Sequence, residues 1–388
     1  MLFARKKDKT MEKRKINKLG IETSLLGFGC MRFPTTSEGK IDEVVAEAMI
    51  DKAIASGVNY IDTAYPYHNG DSEPFVGRVL KKYDRDSFYL ATKLPVWAVN
   101  TIEDVDRLFN EQLERLQTDH IDFYLMHAMG KERWDAMLKI GCVERLEELQ
   151  KEGKIKYLGF SFHDSYEVFE EIINYRDWDF CQIQLNYMDT EDQAGMKGYK
   201  LAEEKNVPLT IMEPIKGGSL AAFADDITST FKKLDPDASV ASFALRYVAS
   251  LPNIMTVLSG MSNMDQVDDN LKTFNDFKPL SELELNTIDE IVKVLRSRVQ
   301  NGCTGCRYCM PCPMGVDIPG CFSAWNTYYM YQNYNVVRWK WETEMGEKKQ
   351  AKNCVQCGKC EKACPQHLNI REDLKKVQEA LDKKEMIL

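Results

Sequence analysis

The sequence predicts an α/β chain: a (β/α)8 barrel of the TIM type followed by a small α-helical domain. Two observations carry this. Short apolar, β-rich runs alternate with helix-like stretches over about 250 residues. Beyond them, eight of the twelve cysteines fall into two tight runs near the C-terminus. The apolar runs are 24–29, 58–62, 88–93, 121–127, 157–161, 180–185, 209–213 and 254–259. Strands buried on both faces of a parallel sheet read as such continuous apolar runs. Eight strand–helix units match a closed barrel. An open doubly wound sheet is the alternative, but no G-x-G-x-x-G follows the first run.

Between the runs, residues 41–56, 103–116 and 143–152 read as helices, the last stopped by Gly153. Residues 267–274 and 283–298 read as closing helices. The expected organisation is a barrel over 13–285, a helical linker over 286–300 and a cysteine-bearing domain over 301–388.

The second cysteine run is Cys354, Cys357, Cys360, Cys364, Pro365, which is C-x2-C-x2-C-x3-C-P. This is the spacing of a bacterial-type 4Fe–4S cluster. The first run is Cys303, Cys306, Cys309, Cys312, Pro313, with the last gap one residue shorter. Steps of three residues let successive thiolates curl round one centre, and the proline turns the chain away. Zinc favours two separated C-x2-C pairs, which three overlapping steps fit poorly. Eight ligands predict two clusters. Cys30, Cys142, Cys181 and Cys321 lie outside the runs and read as buried thiols.

Composition narrows the partners. A net charge of −9 argues against nucleic acid and permits a basic redox partner. No run of about 18 apolar residues is present, so no membrane span is expected. Residues 1–10 are basic without an apolar stretch behind them, which does not read as a signal peptide. Thiolate clusters and free thiols point to a reducing cytoplasm.

Catalytic residues of a barrel sit at strand C-terminal ends. Asp62, Lys93 and His127 end successive runs, 31 and 34 residues apart, and Tyr67 follows Asp62 by five residues. Singly each has an ordinary reading: a helix cap, a solvated lysine, a core histidine. In register they converge on one mouth. Asp62-Thr63-Ala64 with Tyr67, Gly70, Ser72-Glu73 and Gly77, then Lys93 after Ala91-Thr92 and His127 after Leu125-Met126, resemble the signature of the aldo–keto reductases. The C-terminal cysteines point to the branch fused to an iron–sulfur domain. The resemblance spans roughly residues 13–285.

It implies an Asp62–Tyr67–Lys93–His127 tetrad, a nicotinamide cofactor, NAD(H) or NADP(H), and a small-molecule carbonyl substrate. Tyr67 is then the proton donor, Lys93 lowers its pKa, Asp62 holds Lys93, and His127 orients the carbonyl. Ser161 and Gln182 fall where the family holds the nicotinamide carboxamide, with Asn186 just beyond. Ser161 is followed by Phe162 rather than Asn, and Met212 replaces a stacking tyrosine. Gly260, Ser262, Gln266 and Asn270 align with the cofactor-clamping segment, where many members carry a Lys and an Arg for a 2′-phosphate. Arg32 after the first strand reads as a carboxylate clamp or a surface arginine. Trp97 reads as a pocket wall or core packing.

Residues 322–341 are aromatic and largely helical, and the module resembles the α-helical dicluster ferredoxins. Each run then gives three cysteines to its own cluster and the fourth to the other. Cys303, Cys306, Cys309 and Cys364 would hold one cluster; Cys354, Cys357, Cys360 and Cys312 the second. The aromatics read first as ordinary core. The expected function is an iron–sulfur oxidoreductase of aldo/keto reductase type. Clusters move single electrons and nicotinamide moves a hydride, so a flavin in the barrel or on a partner would bridge them, and a ferredoxin or flavoprotein is the expected redox partner. Otherwise the clusters feed the substrate directly or are structural. The alternative from another class is a redox-sensing or electron-transfer protein whose barrel has lost turnover.

Overall fold

The computed structural model describes residues 10–385. Residues 1–9 of the basic stretch and residues 386–388 lie outside them. The described residues form two compact units. One holds the chain up to Pro214 together with Ser242–Leu280; the other holds Ile215–Ala241 and the chain from Ser281 on.

Ten strands lie in the first unit. β1 (Lys13–Ile16) and β2 (Ile21–Ser24) form an antiparallel hairpin that the apolar runs did not announce. The eight expected strands follow: β3 (Leu26–Gly29), β4 (Tyr60–Asp62), β5 (Tyr89–Leu94), β6 (Ile121–Met129), β7 (Ile155–Phe162), β8 (Phe180–Gln184), β9 (Leu209–Met212) and β10 (Ile254–Gly260). They close a barrel in chain order, with β10 parallel to both β9 and β3. The chain thus has the fold class its rhythm predicts.

Tyr60, Phe123, Phe180 and Met255 form a buried cluster, against which Ile16, Leu19 and Ile21 of the hairpin pack. Tyr60 and Phe180 open their strands, so the hairpin seals the N-terminal end of the barrel. Chemistry is left to the other end. The helices fall where expected: Glu43–Ala55, Ile102–Leu116, Cys142–Lys151 and Met264–Phe274. Gly153 takes a φ of +77°, the left-handed conformation that ends the third. In helix Ser72–Leu80, a Cβ on Gly77 would lie 2.6 Å from the Arg115 carbonyl oxygen. That glycine lets the helix approach the end of Ile102–Leu116.

In the second unit, helix Glu282–Ser297 starts at a Ser281–Glu284 capping box and covers most of the expected linker. Phe322, Trp325, Tyr328, Tyr334 and Trp341 pack with Ile370, Leu374 and Val377 into one core. The aromatics are chiefly core, as their plainer reading had it; Trp339, 67 % exposed, is the exception. Among the described residues no helix is long and apolar enough to cross a membrane.

Candidate functional site

The C-terminal ends of β4, β5 and β6 bring three charged or polar groups together. Asp62 ends β4 and Lys93 is the fifth residue of β5. Lys93 Nζ donates to both Asp62 oxygens at 2.8 Å and to the Thr63 carbonyl at 2.7 Å. Lys93 and Asp62 are both buried. Burial works against the ammonium, yet Asp62 and then Tyr67 outweigh it and hold Lys93 above its usual pKa. Burial raises the Asp62 carboxyl, and Lys93 pulls it back.

Tyr67 opens a short turn after β4, where His68 and Asn69 take positive φ. Lys93 Nζ lies 5.2 Å from the Tyr67 ring centre. Lys93 draws the phenol pKa down as expected, but burial is the larger influence and the net shift is upward. Lys93 thus acts in the expected direction, against a burial that favours the protonated phenol. The His127 ring lies edge-on to Tyr67 at 6.3 Å, and Trp97 packs on its other side at 5.1 Å. Burial, then Lys93, keep the imidazole neutral. His127 Nδ1 is buried without a hydrogen-bond partner. Trp97, half exposed, walls this mouth, with Arg133 over its ring at 5.6 Å.

A layer behind these residues escaped the sequence reading. Glu73 is fully buried and accepts from Thr92 Oγ1 and Gln112 Nε2, both at 2.6 Å. Gln112 also donates to the Lys93 carbonyl at 3.0 Å and accepts from Tyr124 at 2.6 Å. This network clamps β5 at Lys93. The signal was present: Gln112 is a polar residue on the apolar face made by Val105, Leu108, Phe109 and Leu116. Cys30, Cys142, Cys181 and Cys321 are buried thiols, as read.

Ser161 and Gln182 are register partners on β7 and β8. The Ser161 hydroxyl accepts from Ala128 N–H at 2.7 Å, leaving its proton to donate. Gln182 donates to Met212 Sδ at 3.3 Å, and its Oε1 is buried without a partner. A carboxamide needs one acceptor and one donor, and this pair supplies both. Asn186 is instead a turn residue, accepting from Met188 N–H and Asp189 N–H.

The clamping segment is occupied with its own structure. Asn263 caps helix Met264–Phe274, Gln266 accepts from Ser262 N–H at 2.7 Å, and Asn270 donates to Ser259 at 2.7 Å. Gly260 pairs with Gly29 across the barrel closure. A Cβ on Gly260 would stand 2.8 Å from Arg32 Cγ. The glycine thus makes room for Arg32, an exposed cation at the barrel mouth.

In the second unit the thiols sort into two hollows. Cys303, Cys306, Cys309 and Cys364 line one. Cys312, Cys354, Cys357 and Cys360 line the other, a cavity of about 310 Å³ that Cys309 also reaches. Among the described residues no three His, Cys, Asp or Glu side chains group as ligands of a single ion. Buried Asn301 anchors the first run, accepting from Cys303 N–H at 2.9 Å while donating to Asp373 at 2.7 Å.

The chain matches the model described as "Aldo/keto reductase family" over residues 25–293. It belongs to that family. Residues 302–369 match a 4Fe-4S dicluster domain, so this member is an oxidoreductase of the family joined to an iron–sulfur domain. The uncharacterized oxidoreductase YqkF of Bacillus subtilis (strain 168) is 26 % identical over 325 residues, covering 74 % of this chain and all of that protein. The NADH-specific methylglyoxal reductase of Escherichia coli (strain K12) is 23 % identical over 328 residues, covering 72 % of this chain and 96 % of that one. The solved holo form of aldo-keto reductase AKR11C1 from Bacillus halodurans shares 28 % identity with a TM-score of 0.62. It covers 72 % of this chain and 96 % of that one. The barrel is thus the family's, and the cysteine-rich unit is joined to it.

Proposed function

We propose that this chain reduces a small carbonyl compound at the mouth of the barrel, with Tyr67 as proton donor and a nicotinamide dinucleotide as electron source. The observation that carries this is the buried Lys93–Asp62 pair, with Lys93 Nζ 5.2 Å from the Tyr67 ring and the His127 ring edge-on to that ring. Ser161 and Gln182 Oε1 fit a carboxamide and would hold the nicotinamide. When bound, the cofactor supplies a hydride to the carbonyl carbon. Tyr67 gives its proton to the carbonyl oxygen. Lys93 stabilises the phenolate left behind, and Asp62 keeps Lys93 charged. The neutral His127 ring donates an N–H to the same oxygen and orients it. Arg32 binds a substrate carboxylate at the rim.

Turnover of a panel of aldehydes, ketones and 2-oxo acids with NADH and NADPH tests the reading. Oxidation of neither dinucleotide with any of them would leave the redox-sensing alternative.

NADH is expected to bind at least as well as NADPH. Gly260 and Gln266 offer no cation to a 2′-phosphate, and Gln266 is engaged with Ser262. One similar protein is named as NADH-specific. Isothermal titration of both dinucleotides decides. A clear preference for NADPH would move Arg32 from the substrate to the phosphate. Placing a lysine at position 260 is not a clean check, because its Cβ would displace Arg32.

The two hollows would hold two 4Fe–4S clusters, each a one-electron carrier when bound. Cys303, Cys306, Cys309 and Cys364 fit one, and Cys312, Cys354, Cys357 and Cys360 the other. Anaerobically prepared protein should be brown, with about eight irons per chain. A count near four would mean that the shorter first run does not complete a site. Zinc without acid-labile sulfide would refute the assignment.

A further inference from the structure

The segments that carry the cluster cysteines are basic on an acidic chain. The whole sequence carries −9, yet residues 302–316 and 351–371 hold Arg307, Lys352, Lys359, Lys362 and Arg371 against Glu361 alone. Some of this charge is paired. Arg371 sits 2.8 Å from Glu361, Arg307 3.6 Å from Asp317, and Lys352 3.4 Å from Glu347. Lys359 and Lys362 are exposed, and among the described residues neither ammonium has an acidic partner.

The same place leaves apolar surface in water. Tyr308 is 71 % exposed, Val355 58 % and Met314 46 %. All three, with Lys359, rim the hollow of Cys312, Cys354, Cys357 and Cys360. Cys357 is itself exposed. The core of this unit has enough apolar side chains of its own, so folding does not require these three outside. An apolar centre ringed by charge is the anatomy of a transient protein interface. Electron exchange needs close approach to a cluster edge; Cys306 of the other hollow is exposed too, but the exposed apolar side chains Tyr308, Val355 and Met314 rim this one.

We propose that this rim docks a small acidic one-electron carrier protein, and that electrons cross between carrier and chain at the cluster held by Cys354, Cys357, Cys360 and Cys312. The inference rests on the cluster reading given above. One electron leaves the reduced carrier and enters the oxidised cluster. The carrier departs oxidised by one electron, no bond forms or breaks, and no proton moves at the interface. The overall acidity of the chain suggests a basic partner, but the local charge selects the opposite sign. Lys359 and Lys362 steer the encounter, and Tyr308, Val355 and Met314 make the contact.

Stopped-flow mixing of the anaerobic, iron-loaded full chain with a reduced acidic flavodoxin tests this. Cluster bleaching is followed beside the distinct flavin absorbance. The second-order rate should be fast at low ionic strength and fall as salt screens the charges. The Lys359→Glu/Lys362→Glu variant should react at least about tenfold more slowly, with iron content and reduction by dithionite unchanged. Tyr308→Ala, which leaves the charges in place, should slow the reaction at high salt as well as low. Equal rates for wild type and the charge-reversed variant would overturn the docking face. So would a basic carrier of similar potential reacting as fast. Either result, obtained on protein that dithionite still bleaches, leaves the cluster reading standing. Wild-type protein without iron, or not bleached by dithionite, removes the cluster reading and the docking face with it.

Discussion

Tyr67→Phe is expected to lower turnover by about 10²–10⁴-fold while leaving the substrate KM and dinucleotide binding near wild type. The ring survives, so its edge-on packing against His127 at 6.3 Å is kept. Only the hydroxyl is lost, and with it the proton for the developing alkoxide. Lys93 cannot take its place, because its ammonium is committed to both Asp62 oxygens and the Thr63 carbonyl. Steady-state kinetics with the best substrate of the carbonyl panel would measure the loss. Unchanged turnover would remove Tyr67 from its role. A rise in KM at constant kcat would make it a binding residue.

The second large effect is expected at Asp62. In Asp62→Ala the Lys93 ammonium keeps its burial and loses its counter-charge. Breaking a buried pair in this way costs about 3–5 kcal/mol. Asp62 is also the chief influence holding the Lys93 pKa up against burial. Without it burial pulls that pKa below the ordinary lysine value, so unfolding takes up a proton in the pH range between the lowered value and the ordinary one. The stability deficit should therefore be largest near neutrality and shrink as pH climbs toward about 10.4. Turnover should fall too, because Lys93 loses the partner that keeps it charged and placed to stabilise the Tyr67 phenolate. Denaturant unfolding at several pH values measures the first effect, kinetics the second. Asp62→Ala/Lys93→Met removes both charges and should regain most of the stability without regaining activity. A double variant as unstable as Asp62→Ala would show that packing, not the stranded charge, sets the cost.

Much of this protein was legible in one dimension. The eight strands were visible because a parallel barrel buries both faces of each strand, which leaves apolar runs such as Phe123–Met126. Asp62, Lys93 and His127 were legible because the barrel repeat puts strand ends about one unit apart. The cysteine spacing announced its chemistry because three-residue steps are a local geometric demand. The hairpin Lys13–Ser24 was not legible, since its strands are short, mixed in polarity and defined by what they cover.

Other features were decided only when distant segments met. Whether Tyr67 is an acid or a phenolate depends on burial against the pull of Lys93, and burial belongs to the assembled barrel. The clamp of Gln112 on Lys93 joins residues 19 apart through a buried carboxylate supplied from a third element. Gly260 looked like a missing cation, and it is the space in which Arg32 lies. The sequence by itself determined which groups are present and how they are spaced along the barrel repeat and the cysteine steps. The tertiary structure decided which are buried, which are paired and which remain open, because desolvation and hydrogen bonding are set by neighbours far away in the chain.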